Sequence, residues 1–396
     1  MIPRKQTDIG WADFAFAALA CAGLGRRKKS PADAPLLTRR GDSLTCLAVR
    51  SGLDLLLTEL AWPAGDEVIV SAITIPDISH ILREHGLVPV SVDIDPDTLA
   101  MDNAALERAV TPRTRAVLVA HLFGARLPLG GVITWAHARG LAVWEDCAQA
   151  WTGGDFLGHE ASDVRMFSFG PIKTATALGG GVLLVRDAAL LTRLRARHAA
   201  WPVQRTGEFF RRVAKFAFFH PLLSPWPYGA LVCVFGWLGR DHDKLVTQLG
   251  RGFVGGHFFT RLRRQPCAPL VALLERRLAT YDRSRVARRA AAGERVRTAL
   301  HGVPLLGGAA EHRTHWLFPL RVRDPKAVMR ALWREGIDAT CASSSLHALP
   351  GAPRAEAAMT EVLYVPVLGS LDEAALDRLA ARVASIATVQ GSKKSS

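Results

Sequence analysis

Six cysteines are scattered along the 396 residues (Cys21, Cys46, Cys147, Cys233, Cys267 and Cys341), and no two of them form a C-x-x-C pair. That absence argues against a metal cluster or a disulfide framework, so no metal is expected and a reducing compartment fits. Zinc-finger spacing is also missing, as is the alternation of aromatic and basic residues that RNA-reading modules use. Nucleic acid is therefore not an expected partner. Acidic residues are the minority, 36 against 50 Lys and Arg, giving a formal charge of +14. Such a balance favours anionic partners, nucleotide phosphates or an acidic membrane surface, although most of it reads as solvated, Arg-rich helix faces. No internal repeat is visible.

What is present is an ordinary globular composition, 49% hydrophobic and 22% charged, in a chain long enough for two or three domain-sized units. From about residue 45, short apolar strands alternate with helical stretches. "EVIVSAIT" (67–74), "VPVSVDID" (88–95), "RAVLVAHLFG" (115–124) and "LAVWEDCAQA" (141–150) read as strands. "SGLDLLLTELAW" (51–62), "ISHILREHG" (78–86) and "MDNAALERAV" (101–110) read as helices. The pattern predicts an α/β fold with a mostly parallel sheet covered on both faces, whose ligands collect at the carboxyl ends of the strands. A smaller α+β unit follows, with an Ala/Arg-rich helix at 270–300, a strand at 315–322 and a terminal helix at 371–386. The expected division is an N-terminal arm (1–40), a large domain (41–250), a small C-terminal domain (251–390) and a disordered tail (391–396).

Two apolar stretches bear on location. Residues 9–25 resemble a weak signal segment, but Asp8, Asp13 and the basic run at 26–29 favour an N-terminal amphipathic helix or arm and a cytoplasmic protein. Residues 216–238, inside an insertion at about 213–240, carry no formal charge. They are long enough to cross a bilayer, yet Pro221, Pro225 and Pro227 forbid one straight helix. Two readings stand: a segment lying on a membrane surface, anchored by Trp226, Tyr228 and Trp237 with Arg211, Arg212, Lys215 and Arg240 at its flanks, or a surface packed against a partner subunit.

The residues that carry chemistry are concentrated in "EDCAQA" (145–150) and "FSFGPIKTATALGGG" (167–181). A carboxylate at a strand's end, then a serine and a lysine before a Gly-rich turn, is the set a pyridoxal-phosphate (PLP) site requires. The lysine holds the cofactor covalently, the buried acid keeps the pyridine nitrogen protonated, and hydroxyls with helix N-terminal amides hold the phosphate. Ser51 and Gly52 open a helix suited to holding that phosphate.

On these residues, with "GDEVIV" (65–70), "VDIDPDT" (92–98), "TPRTRAV" (111–117) and "HLFG" (121–124), the chain resembles the DegT-type family of PLP-dependent sugar aminotransferases. The resemblance runs from about Ser51 to Asp187 and more faintly from Arg261 onward. It implies the fold-type I transferase architecture, a homodimer, and Lys173 as the cofactor-bearing lysine and proton carrier. Asp146 would pair with the pyridinium nitrogen, Gln149 would reach the 3′ oxygen, and Ala148 would lie under the ring. Ser168, Ser51 and the Gly52 amide would hold the phosphate, and His347 and Arg261 would stand near substrate. Three positions depart from the family: Leu53 replaces a threonine, Ile75 a stacking aromatic, and Phe259 an asparagine that reaches the neighbouring subunit's cofactor. The implied activity is amino transfer from a donor such as glutamate to a keto-sugar, nucleotide-linked in the family's manner, for polysaccharide or secondary-metabolite biosynthesis. The alternatives are a lipid-linked substrate at the membrane surface, favoured by 216–238, and a non-catalytic regulatory descendant, favoured by the three departures.

Overall fold

The computed structural model describes residues 1–4, 6–24, 37, 41–237, 257–341 and 346–392. The basic run at 26–29, Arg240 and residues 393–396 of the expected tail lie outside the described residues. Residues 391 and 392 continue the helix Glu373–Ser392, so the tail expected from 391 starts inside a helix.

The chain opens with α1 (Trp11–Cys21), then β1 (Ser43–Cys46), α2 (Val49–Leu60), β2 (Glu67–Ser71), β3 (Ile73–Thr74), α3 (Pro76–Glu84), β4 (Val88–Val92) and α4 (Asn103–Ala109). It continues through β5 (Thr114–Ala120), β6 (Ala125–Arg126), α5 (Gly130–His137), β7 (Ala142–Asp146), β8 (Val164–Ser168), β9 (Gly181–Val185) and α6 (Ala188–Ala199). Seven strands make one sheet in the order β1-β9-β8-β7-β5-β2-β4. From β4 to β8 every neighbour is parallel; β9 runs antiparallel to both β8 and β1.

Both faces of this sheet are apolar, as a parallel sheet covered by helices requires. Along β2, Ile69 joins the cluster under α4 and α5, while Val68 and Val70 join the cluster under α2 and α3. A third cluster gathers α1 with Phe167, Phe169 and the helix Ala268–Ala279. That helix packs with the large unit, beyond the expected boundary at 251. The Ala/Arg-rich run expected as one helix over 270–300 is two, Ala268–Ala279 and Ser284–Ala299. Asp282 explains the break, since its carboxylate accepts the Ser284 amide at 3.0 Å and restarts the chain as a helix. A fourth cluster holds the C-terminal unit, where the strand Pro319–Arg321, shorter than the expected 315–322, pairs with Val362–Tyr364.

The N-terminal residues bind both units. Ile2 bridges Ile337, Arg4 pairs with the buried Asp338, and α1 packs on the helix Ala268–Ala279 through Phe14 and Ala17. The apolar insertion forms α7 (Thr206–Phe219), a single 3₁₀ turn at Pro221–Leu223, and α8 (Pro225–Trp237). The prolines break it as the sequence predicts. No helix among the described residues is long and apolar enough to cross a membrane.

One close approach fixes the edge on which ligands gather. A Cβ on Gly181, at the start of β9, would lie 2.4 Å from the Val49 amide nitrogen and 2.5 Å from the Ala48 carbonyl carbon. Only glycine lets the first turn of α2 rest on the sheet. Gly181→Ala is expected to cost about 1–3 kcal/mol, read as a lower melting temperature with the visible spectrum of any bound cofactor recorded alongside. An unchanged melting temperature would contradict this account of the contact.

Candidate active site

At the carboxyl edge of the sheet, β7 ends on Asp146 and β8 on Ser168, and α2 begins beside them. The loop after β8 turns at Gly170, whose carbonyl accepts the Lys173 amide at 3.0 Å, and Thr176 ties the loop to the Phe169 and Gly170 carbonyls. Ala175 and Leu178 both adopt left-handed backbone, with φ of 53° and 62°, a strained conformation held by its surroundings. Part of that restraint is the N-terminal segment, because the Asp8 carboxylate accepts the Ala175 amide at 2.9 Å.

Lys173 faces a cavity of ≈ 290 Å³ with its amine 4.2 Å from the centre of the Trp316 ring. Burial lowers its pKa to about 8; Asp146 opposes that shift and Arg50 adds to it. A neutral amine is therefore far more accessible near neutral pH than in an ordinary lysine. Burial likewise raises the Asp146 carboxyl, while the Ala148 amide, Lys173 and His121 hold it down. The Ala148 amide donates to Asp146 Oδ1 at 2.9 Å, which aims the acid.

Gln149 accepts the Phe123 amide on its Oε1 at 2.8 Å, so its amide NH₂ is the end that can donate elsewhere. Phe123 and Gly124 belong to "HLFG", and Gly124 is a second obligatory glycine. Its φ is +92°, and a Cβ there would lie 2.6 Å from the Trp316 amide nitrogen. This contact carries Trp316, absent from the sequence-level site, to Lys173. Behind the site, the Leu127 amide donates to His121 Nδ1 and His121 Nε2 faces Glu145 at 2.8 Å. Both ring nitrogens of His121 are engaged, so the buried His121–Glu145–Cys147 cluster is a hydrogen-bonded strut behind Asp146.

At α2 the structure corrects one assignment. The helix starts at Val49 with Ala48 as its N-cap, and the Gly52 amide donates to the Ala48 carbonyl at 3.1 Å. Gly52 is thus already inside the helix, and the amides that the helix cannot pair are those of Val49, Arg50 and Ser51. Gly52 serves by its missing side chain, since a Cβ would lie 2.2 Å from Leu183 Cδ1. Ser51 is fully buried and its hydroxyl has no hydrogen-bond partner. Leu53, where the family has a threonine, is fully buried in the core under α2.

Two cations that sequence reading left out of the site approach the same corner. Arg50 sits on the first turn of α2 and pairs with Asp77. Arg212 of α7 donates to the Leu178 carbonyl at 3.1 Å, and burial lowers its pKa. Ile75 caps α3, half-buried against the core under α2. His347 lies opposite Thr74 in a short ladder, with Nδ1 buried and without a partner. Arg261 is exposed on the short helix Phe258–Leu262. Of the residues expected at the site, only Lys173 lines the cavity it shares with Trp316; Asp146, Ala148, Gln149, Ser168, Ser51, Gly52, His347 and Arg261 do not.

Residues 40–215 match the DegT/DnrJ/EryC1/StrS aminotransferase family. A UDP-N-acetyl-3-dehydro-α-D-glucosamine 3-aminotransferase of Acidithiobacillus ferrooxidans is 38% identical over 162 residues, 39% of this chain and 44% of that protein. An L-glutamine:2-deoxy-scyllo-inosose aminotransferase of Streptomyces kanamyceticus is 37% identical over 155 residues, 38% of this chain and 36% of that protein. The chain thus spans less than half the length of these curated relatives. The likeness in structure extends further. The aminotransferase TlmJ of Streptoalloteichus hindustanus superposes with a TM-score of 0.71 at 22% identity, over 99% of this chain and 100% of that one. The sugar aminotransferase CalS13 of Micromonospora echinospora gives 0.68 at 22% identity, over 97% and 100%. The fold is the fold-type I architecture of PLP-dependent transferases, as expected from the sequence.

Proposed function

We propose that this chain, which carries the DegT-type aminotransferase segment at 40–215, is a PLP-dependent enzyme that moves an amino group from glutamate or glutamine to a keto-sugar, nucleotide-linked, in polysaccharide or secondary-metabolite biosynthesis. The observation that carries this reading is Lys173, a half-buried lysine at the carboxyl edge of the sheet whose amine lies against Trp316 and whose pKa desolvation lowers to about 8 against the pull of Asp146.

The residues present fit the cofactor. The buried, unpartnered Ser51 hydroxyl and the first-turn amides of α2 form a ready anion seat, and Gly52 and Gly181 keep it open to the sheet. Ser168 completes the seat, with Arg50 and Arg212 as the nearby cations. Asp146 would meet the ring nitrogen, the Gln149 amide the ring oxygen, and Ala148 the ring face. Bound PLP supplies an electron sink for the pair left when a proton leaves the donor's α-carbon. Lys173 takes up and returns that proton at Nζ, for which a pKa near the working pH is the suitable value. His347 and Arg261 would act on the sugar side, Arg261 across a homodimer interface.

Mass spectrometry tests the substrate class. Incubated with PLP, glutamine and UDP-linked 3-keto-sugars, the chain should yield the corresponding amino-sugar. Donor turnover with no nucleotide-linked product from any keto-sugar supplied would move the substrate to a non-nucleotide class.

A second reading concerns place. Phe218, Trp226 and Trp237 of α7 and α8 are 69%, 90% and 86% exposed, with Arg211 and Lys215 exposed alongside on α7. Large apolar side chains beside cations suit an anionic membrane surface, on the cytoplasmic side. In vesicle flotation the protein should rise with phosphatidylserine-containing vesicles, and Trp226→Ser with Trp237→Ser should stop it. Wild-type protein that stays at the bottom, with a double variant of smaller mass in solution, would assign this face to a partner subunit instead.

A further inference from the structure

One wall of the cavity beside Lys173 comes from the C-terminal unit. The strand Val362–Tyr364 pairs with Pro319–Arg321, and its alternation divides it between two cores. Leu363 joins the cluster of the C-terminal unit, while Val362 and Tyr364 join the cluster under α4 and α5. Tyr364 thus crosses from one unit to the other. Its ring centre lies 6.1 Å from that of Phe123, whose amide donates to Gln149. Tyr364 also lines the cavity that Lys173 and Trp316 share. The residue is 4% exposed, and its hydroxyl is buried with no hydrogen-bond partner among the described residues. Of the neutral side chains lining this cavity it is the only one, among the described residues, whose buried polar atom is left unpaired. Such a hydroxyl is a cost to the fold, and a ligand oxygen that meets it removes that cost. Burial pushes the phenol's pKa up, so it stays protonated and able to donate at any working pH.

We infer that Tyr364 determines specificity for the amino acceptor, its hydroxyl donating to an uncharged oxygen of the keto-sugar ring. This rests on the functional reading above. Two observations select the sugar over the amino acid. The residues that follow Tyr364 into the cavity wall, Val365, Pro366, Val367 and Leu368, carry no charge, whereas the arginines lining the cavity stand on the N-terminal segment and the helix Ser284–Ala299. A neutral donor on an uncharged wall matches a polyhydroxylated ring better than the carboxylate and ammonium of an amino acid. The phenol is also held by packing on Phe123, so its hydroxyl offers one fixed position to the ring. A site that hydrogen-bonds a substrate oxygen in this way discriminates strongly against a ligand lacking it.

The test is Tyr364→Phe, which keeps the ring and removes the unpaired atom alone. Calorimetry on the PLP-loaded full chain compares UDP-glucose, an unreactive stand-in for the acceptor, with UDP. The variant should lose about tenfold in affinity for UDP-glucose and nothing for UDP. In absorbance, conversion to the pyridoxamine form by glutamine should be unchanged, while return to the yellow form with a UDP-linked 3-keto-hexose should slow about tenfold. The melting temperature of the ligand-free variant should equal or exceed that of wild type, because the deleted hydroxyl had no partner. A melting temperature several degrees lower, or an equal loss in both half-reactions, would make the hydroxyl structural and overturn the inference. Unaltered UDP-glucose affinity with an unaltered return to yellow overturns it as well. A wild-type chain that never turns yellow with PLP, or that binds neither UDP nor UDP-glucose, defeats the functional reading instead.

Discussion

Replacing Lys173 with alanine should abolish covalent capture of PLP and slow amino transfer roughly 10³-fold or more. Two of the lysine's proposed roles go at once, attachment of the cofactor and movement of the donor's α-proton, and among the described residues no other lysine lines the cavity. The phosphate seat proposed on α2 is separate from Lys173, so noncovalent binding of PLP should persist. Borohydride reduction followed by peptide mass spectrometry checks the attachment. Wild-type protein should gain the cofactor's mass on the peptide containing Lys173, and the variant should gain none. Retained labelling elsewhere in the Lys173→Ala chain, with transfer intact, would remove Lys173 from its assigned role.

The second large effect concerns Asp146. Its negative charge is what opposes the burial-driven fall of the Lys173 pKa, so Asp146→Asn should move that pKa below about 8. The rate at which the protein turns yellow with added PLP should rise tenfold per pH unit below the Lys173 pKa and flatten above it. In the variant the plateau should begin at lower pH. Transfer should nonetheless fall roughly 10²–10³-fold, since a neutral amide no longer favours a protonated ring nitrogen. A rate profile that keeps its wild-type midpoint would contradict the coupling. The same lowered pKa has a sign in stability. Folded Lys173 gives up its proton near pH 8 and the unfolded residue near its ordinary 10.5, so the cofactor-free chain should gain stability as pH rises through that window.

Why Lys173, Asp146 and Ser168 were legible in the sequence follows from where they stand. Asp146 closes the apolar strand read at 141–150, whereas Ser168 and Lys173 were marked by their spacing before a Gly-rich turn, and the structure sets Ser168 at the end of β8, the neighbour of β7. The parallel sheet was legible from the same apolar pattern. Residues brought in from afar were not. Trp316 arrives through a contact with Gly124, Asp8 reaches Ala175 from the first residues of the chain, and Tyr364 meets Phe123 from the C-terminal unit. No local period marks such pairs. The start of α2 was misplaced because Ala48 caps it without a side-chain bond, so Ser51-Gly52 looked like the opening. The departure at Leu53 was visible as a letter. Its reason, a position pointed into the core, is visible only in the fold.

Lys173, against Trp316 and within the field of Asp146, is the residue proposed to make this chain a PLP-dependent aminotransferase. The most direct measurement is the visible spectrum of the purified chain with PLP, followed on addition of L-glutamine. The account predicts a yellow protein whose absorbance shifts to that of the pyridoxamine form on adding the donor, in wild type and not in Lys173→Ala. A wild-type chain that stays colourless, or a yellow colour untouched by glutamine and glutamate alike, would contradict it.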